Sequence, residues 1–73
     1  MELDYGKAFR EHRIANNLSQ PQLSKATNIP QSTISAIENN INLPNIDICV
    51  RLANFYGITV DELIGRDFIP NTK

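Results

Sequence analysis

Apolar residues recur at spacings of three and four positions along most of the chain, while strict alternation of apolar and polar residues is missing. This periodicity predicts amphipathic α-helices and argues against β-strands. Five segments share it and are predicted as helices, at about 4–16, 19–27, 31–39, 45–57 and 59–65. The chain is therefore predicted to fold as an all-α protein.

The predicted helix ends carry local signals. Ser19 with Gln22 has the spacing of a capping box, in which each side chain satisfies a free backbone N–H of the other residue, and Thr59 with Glu62 repeats it. Glycine and asparagine tolerate the left-handed backbone conformation that ends many helices. Residues of these two types are predicted to end helices at Asn17, Asn28, Gly57 and Gly65.

The apolar stripes predict how the helices pack. Ile34 and Ile37 are expected to face inward from the third helix, and the fourth helix is expected to bury Ile48, Leu52 and Phe55. The predicted fold is a compact five-helix bundle. Residues 1–65 form the domain, and residues 66–73 form a C-terminal tail.

The size and composition narrow the class of protein. A chain of 73 residues with 41% hydrophobic residues and no long apolar run is expected to be a cytoplasmic domain without a secretion leader or membrane contact. So small a domain buries little surface, and with one cysteine it forms no internal disulfide, so we expect a homodimer. The net charge of −1 disfavours tight non-specific binding to nucleic acid.

No catalytic site or cofactor site is indicated. With one histidine and one cysteine there is no metal-ligand spacing, and no nucleophile triad or glycine-rich phosphate loop occurs. His12 and Cys49 are each expected to be packing residues. The chain is predicted not to be an enzyme and to need no cofactor.

The second and third helices have the outline of a helix-turn-helix, since only three or four residues join them. The predicted outer face of the third helix is short and uncharged, with Gln31, Ser32, Ser35, Ala36 and Asn39. Glutamine and serine can bond to base edges, and alanine can touch a thymine methyl group. A polar face in contact with solvent is an equally good interpretation of these residues alone.

The order of residues resembles the Cro and phage-repressor (XRE) helix-turn-helix family. The resemblance rests on Leu-Ser-Gln-Pro-Gln-Leu-Ser at 18–24 and Ile-Pro-Gln-Ser-Thr-Ile-Ser-Ala-Ile-Glu-Asn at 29–39. Pro44, Leu52, Ala53 and Gly-Ile-Thr-Val-Asp-Glu-Leu at 57–63 extend it over roughly residues 6–64.

The resemblance implies a role for particular residues. Base contacts are implied for Gln31, Ser32, Ser35 and Ala36. DNA phosphate contacts are implied for Ser19, Gln20, Asn39, Asn40 and Asn42. Arg13 and Glu38 match a pair that bridges the first helix to the end of the third.

Several positions keep two interpretations. Lys7, Arg10 and Lys25 either approach phosphates at the flanks of the site or are ordinary solvated cations. Ile41 and Leu43, in a loop where the family often carries lysine or arginine, either pack onto the domain or touch deoxyribose.

The predicted function is a sequence-specific regulator, most often a repressor in this family, that binds double-stranded DNA at a palindromic operator as a homodimer. Apolar residues near the C-terminus form the predicted dimer contact: Val60, Ile64, Phe68 and Ile69. The alternative is a protein-interaction module, such as an antitoxin or adaptor. A protein partner could also modulate a DNA-binding form.

Overall fold

A computed structural model describes residues 4–65, which form five α-helices and no strand. The helices are α1 Tyr5–Ala15, α2 Gln20–Thr27, α3 Gln31–Glu38, α4 Ile46–Tyr56 and α5 Val60–Leu63. The predicted all-α, five-helix fold is confirmed, and the predicted ranges exceed the observed helices mainly by their capping residues. No helix within residues 4–65 is long and apolar enough to cross a membrane.

Both predicted capping boxes are present. At the start of α2, the Ser19 hydroxyl accepts the N–H of Gln22 at 3.1 Å, and the Gln22 side chain accepts the N–H of Ser19 at 2.8 Å. Thr59 and Glu62 make the same pair of bonds at the start of α5. The start of α3 differs, because Pro30 at its N-cap offers no side-chain acceptor.

Three asparagines adopt the left-handed conformation, one after each of the first three helices. Asn17 and Asn28, with φ of 60° and 61°, do so as predicted, and Asn40, with φ of 60°, does so as well. After α3, the N–H of Asn40 donates to the Ile37 carbonyl at 3.0 Å and that of Ile41 to the Ala36 carbonyl at 2.8 Å. This is a Schellman motif, which fixes the chain direction after α3.

The core lies where all five helices meet. Its buried side chains are Phe9, Leu23, Ile29, Ile34, Ile37, Leu52, Ala53 and Leu63. The prediction for Phe55 is wrong, since this side chain is 43% exposed. Ala53 is buried, and Phe55 lies about 200° from it around α4, so the two residues cannot face the core together. Tyr56 packs against the core instead.

The first helix meets the end of α3 at a glycine. The N–H of Gly6 donates to the Asn40 side-chain carbonyl at 3.0 Å. A Cβ at Gly6 would lie 2.5 Å from the Glu38 carbonyl oxygen and 2.7 Å from that of Ile37. No larger residue fits this approach, so Gly6 lets α1 brace the C-terminal end of α3.

His12 joins α1 to α5. Its Nε2 lies 2.7 Å from the Glu62 carbonyl oxygen, and its ring stacks on Tyr56 with centroids 5.8 Å apart. These contacts agree with its predicted packing role. Within residues 4–65, no group of histidine, cysteine, aspartate or glutamate is arranged to hold a metal ion.

Candidate nucleic-acid interface

The helices α2 and α3 are joined by three residues, 28–30, and form a helix-turn-helix. The turn is set by the left-handed Asn28, whose N–H donates to the Ser24 carbonyl at 2.8 Å. Ile29 follows it and is 2% exposed, so the middle of the connection is anchored in the core. Because of this anchor, α3 is held in a fixed position relative to α2.

The outer side of α3 holds the four residues for which base contacts are expected. Ile34 and Ile37 are 3% and 2% exposed and fix the inward side of the helix. Gln31 and Ser32 are exposed, whereas Ser35 and Ala36 are partly buried. The structure therefore brings Gln31, Ser32, Ser35 and Ala36 together on the accessible part of one short helix.

The polar groups at the two ends of this face are engaged differently. Among the described residues, the side chains of Gln31 and Ser32 make no hydrogen bond, so their donors and acceptors are available. Near the other end, the Asn39 amide donates to the carbonyl and hydroxyl oxygens of Ser35, at 2.9 and 3.3 Å. The Ser35 hydroxyl only accepts in this contact and keeps its own proton to donate.

Behind α3, Arg13 and Glu38 form a buried ion pair. Arg13 donates from Nε to Glu38 Oε2 at 2.7 Å and from Nη2 to Oε1 at 2.9 Å. Its Nη1 also donates to the Leu18 carbonyl at 2.8 Å. The Glu38 side chain is 1% exposed and that of Arg13 is 13% exposed. One guanidinium thus joins α1, the start of the helix-turn-helix and the end of α3.

The contacts with Arg13 and Gln20 keep the buried Glu38 carboxyl charged. Burial by itself would raise the pKa of Glu38, but hydrogen bonds from Arg13 and Gln20 and the charge of Arg13 bring this pKa below 4.5. The carboxylate is therefore ionised at neutral pH.

Burial, together with the Glu38 charge, raises the pKa of Tyr56 to about 12. The hydroxyl of Tyr56 is buried and has no hydrogen-bond partner within residues 4–65.

Gln20 and Ser19 stand at the first turn of α2. Gln20 Nε2 donates to Glu38 Oε1 at 3.1 Å, which uses one of the two amide hydrogens and leaves the other. Ser19 accepts the N–H of Gln22 through its hydroxyl and keeps the hydroxyl proton. Pro21 has no N–H, so the backbone N–H of Gln20 is the remaining donor of this turn.

The asparagines after α3 do not share one environment. The Asn40 amide lies in the α1–α3 junction, where it accepts from Gly6 and donates to Asp4 Oδ1 at 3.2 Å. Asn42 is exposed, and its side chain makes no hydrogen bond to any residue between 4 and 65. Of the two, only Asn42 presents a fully available amide.

Charge is nearly missing from the surface around the helix-turn-helix. Between Leu18 and Ile46 the sequence has only Lys25 and Glu38 as charged residues, and Glu38 is buried. Lys25 is exposed. Lys7 and Arg10 are exposed on the adjacent α1, and Arg10 Nε lies 3.9 Å from Glu38 Oε1. Asp4 and Glu11 are exposed in the same region, so α1 and its N-cap carry both signs of charge, whereas α2 and α3 have no exposed carboxylate.

The residues of the predicted dimer contact fall in two groups. Val60 is 37% exposed, whereas Ile64 is partly buried and packs against the core of its own chain. Phe68 and Ile69 lie outside the described residues, as does the whole predicted tail, 66–73.

Two features of this region were missed by reasoning from the sequence. The Asn39-Asn40 pair directly follows the last inward residue of α3, which is a typical position for a left-handed helix stop. That signal could have identified the conformation of Asn40. The contact of Gly6 with the end of α3 joins residues 34 positions apart, so no local sequence pattern predicts it.

Comparison with known proteins gives a consistent result. A family model described as helix-turn-helix matches residues 9–63, three quarters of the chain. The HTH-type transcriptional regulator ImmR of Bacillus subtilis is 28% identical over 65 residues, covering 89% of this chain and 51% of the relative. The cryptic phage CTXphi transcriptional repressor RstR of Vibrio cholerae is 25% identical over 60 residues, covering 82% of this chain and 54% of the relative. The chain thus spans about half the length of these two relatives.

A solved structure shares the fold. The restriction-modification controller protein C.AhdI from Aeromonas hydrophila superposes with a TM-score of 0.76 at 26% identity, covering 84% of this chain and 92% of that one. The two named relatives are a transcriptional regulator and a transcriptional repressor, in agreement with the prediction of a non-enzymatic protein. The chain belongs to the helix-turn-helix family of transcriptional regulators, in the Cro and phage-repressor (XRE) group.

Proposed function

We propose that this protein is a sequence-specific DNA-binding regulator that acts in the cytoplasm as a homodimer, with α3 as its recognition helix. The observation that carries the proposal is the outer side of α3. Its exposed Gln31 and Ser32 make no hydrogen bond within residues 4–65, and no exposed carboxylate occurs on α2 or α3. A helix of this kind can enter a major groove without charge repulsion and with unused hydrogen-bonding groups.

The side chains of α3 suit different base edges. Gln31 can bond to an adenine through both its amide oxygen and its amide nitrogen, and Ser32 and Ser35 can donate to or accept from several bases. Ala36 can contact the methyl group of a thymine. Gln31 and Ser32, on the first turn, would take the most discriminating contacts, because in such complexes the N-terminal residues of the recognition helix reach the base edges.

Phosphate contacts would come from neutral donors and a few cations. Ser19 and Gln20 can donate from the first turn of α2, where the helix dipole also favours an anion. Beyond α3, Asn39, Asn40 and Asn42 are the proposed donors. The amide of Asn39 already donates to Ser35 and that of Asn40 to Asp4, so Asn42 offers the least engaged amide of the three. The flanking cations are Lys7, Arg10 and Lys25, all of them exposed.

Two copies would bind a palindromic site. The proposed dimer contact includes two exposed apolar side chains of the last two helices, Phe55 on α4 at 43% and Val60 on α5 at 37%. It also includes Ile64 and the tail residues Phe68 and Ile69. A two-fold dimer places its recognition helices about one DNA turn, roughly 34 Å, apart. Bound over a promoter, it would exclude polymerase and act as a repressor.

Selection from randomised duplex DNA, with sequencing of the bound fraction, tests the proposal. We expect a two-fold symmetric motif with half-sites about 10 base pairs apart. Sedimentation should give a dimer at micromolar concentration. A reporter gene downstream of the motif should lose expression when the protein is present, whereas increased expression would indicate an activator. Failure to enrich any motif would refute sequence-specific binding.

One observation favours a second candidate, a protein-interaction module. Ile41, Leu43 and Ile46 are 73%, 77% and 81% exposed, and an apolar surface of this kind can bind another protein. Affinity for DNA falls steeply with salt, whereas an apolar protein interface responds little. A partner that remains bound at high salt, with no DNA motif recovered, would favour an antitoxin or adaptor.

A further inference from the structure

The connection between α3 and α4 exposes apolar side chains. In this α3–α4 loop, residues 39–45, Ile41 is 73% exposed and Leu43 is 77% exposed, and the exposed Asn42 lies between them. Neither apolar side chain packs onto the domain within residues 4–65, so the first of the two interpretations given by the sequence does not hold. Their exposure costs hydration free energy unless a ligand covers them.

Backbone bonds hold the start of the loop. The N–H groups of Ile41 and Asn42 both donate to the Ala36 carbonyl, at 2.8 and 3.3 Å. Asn40 bonds to Gly6 of α1 through its side chain. The exposed residues are consequently presented from a fixed position at the C-terminal end of α3.

That position faces the wall of the groove if α3 lies in DNA, so this inference rests on the proposed function. With eight residues, α3 is about 12 Å long, close to the width of about 12 Å of a major groove. When the N-terminal residues of α3 reach the bases, the chain leaving its other end meets the sugar–phosphate backbone.

The loop places one polar side chain between two apolar ones, as the DNA backbone places a phosphate between two sugars. Asn42 offers an amide donor for a phosphate, and Ile41 and Leu43 offer apolar surface on either side of it. No lysine or arginine occurs in residues 39–45. The Asp4 carboxylate bonded to Asn40 disfavours a phosphate at that end of the loop, and the Asn39 amide already donates to Ser35. Asn42 is therefore the asparagine of the loop whose amide is best placed to bind this phosphate.

We infer that Ile41 and Leu43 are DNA-contacting residues that pack on deoxyribose on either side of a phosphate bound by Asn42. In this chain they take the place of cationic contacts in the same loop. Part of the affinity for DNA then comes from burial of apolar surface, which salt does not screen.

The test compares three variants of the full chain with the wild-type protein. The variants are I41S/L43S, I41K and, as the matched control, I14S, which changes an isoleucine that is 56% exposed on α1, outside the loop. Affinity is measured by fluorescence anisotropy between about 50 and 200 mM salt, on the duplex recovered by selection and on a mixed-sequence duplex of equal length.

We expect I41S/L43S to lower the affinity for the selected duplex at least about tenfold, since four side chains of a dimer lose apolar contact. The slope of log affinity against log salt should stay unchanged, because no ionic contact is lost. I41K should steepen this slope by about 0.9 for each protomer, because it places a cation against the backbone. I14S should bind like wild type, and thermal unfolding should show that all variants remain folded.

If wild type prefers the selected duplex and I41S/L43S binds it equally well, the deoxyribose contact is refuted while the proposed function stands. An unchanged salt slope for I41K would likewise refute the position of the loop on DNA. If wild type shows no preference for any duplex, the proposed function and this inference both fail.

Discussion

Replacing Arg13 with methionine should destabilise the domain by about 3–5 kcal/mol, the usual cost of leaving a buried charge without its partner. The Glu38 side chain is 1% exposed, and it would lose both of its bonds to the guanidinium, at 2.7 and 2.9 Å. The Leu18 carbonyl would lose a third bond. Methionine keeps most of the length and apolar stem of arginine, so the effect would come from the charge and the hydrogen bonds.

This loss is large for a chain of this size. At about 0.05–0.15 kcal/mol per residue, 73 residues give a free energy of unfolding of about 4–11 kcal/mol. At the lower end of this range R13M should be largely unfolded at neutral pH, and at the upper end it should stay folded with a clearly reduced free energy of unfolding. Urea denaturation followed by circular dichroism measures the difference.

The pH dependence separates a charge effect from a packing effect. In the wild-type protein the pKa of Glu38 is lower folded than unfolded, so its stabilisation is present above pH 4.5 and is lost as the pH falls toward the folded value. In R13M the buried carboxyl keeps only the Gln20 bond and the more distant, exposed Arg10, so its pKa should be raised and protonation would restore stability as the pH falls. The difference in stability between the two proteins should thus narrow as the pH falls below 4.5.

The double variant R13M/E38M is the control, since it removes the stranded charge together with its partner. It should recover most of the stability lost in R13M, because an apolar pair of similar volume replaces a buried ion pair at little cost. A loss below 1 kcal/mol in R13M, or no recovery in the double variant, would refute this view of the pair.

Three further predictions concern stability. Gly6→Ala should cost about 2 kcal/mol in urea denaturation, because its Cβ would lie 2.5 Å from the Glu38 carbonyl oxygen; wild-type stability would contradict this approach. Tyr56→Phe should leave the free energy of unfolding unchanged or raise it by up to about 1 kcal/mol, because the buried hydroxyl has no partner within residues 4–65; a clear loss would reveal one. Ser19→Ala should cost about 1 kcal/mol through loss of the α2 cap, and an unchanged melting temperature would argue against it.

The helices could be predicted because their signals are local. A capping box joins residues three positions apart, so Ser19 with Gln22 and Thr59 with Glu62 identify the starts of α2 and α5 without any tertiary contact. The left-handed conformation at Asn17 follows in the same way from the residue type and its place after an apolar stripe.

The features that were missed depend on distant contacts. The role of Asn40 is set by Gly6 and Asp4, which lie 34 and 36 positions earlier in the sequence, so the spacing around Asn40 does not reveal it. Phe55 has the spacing of a core residue, but burial of Ala53 and Tyr56 turns α4 so that Phe55 faces outward.

Sequence could also suggest the site without specifying its environment. The outer residues of α3 follow from its periodicity, together with the family resemblance. In contrast, the packing of α1 against α3 determines that the Asn40 amide is hydrogen-bonded to Gly6 while the Asn42 amide stays exposed. Neighbouring asparagines look alike in a sequence and differ only once the fold places them.

The specificity ratio of a variant of α3 tests the central claim most directly. The ratio is the affinity for the selected duplex divided by that for a mixed-sequence duplex, measured for wild type, for Q31A/S35A and for a control, Asn54→Ala, on an exposed position of α4. We predict that wild type and the control discriminate by about 10³ or more and that Q31A/S35A loses most of this ratio while keeping its non-specific affinity. An unchanged ratio in Q31A/S35A, with the variant folded, would show that α3 does not read the DNA sequence.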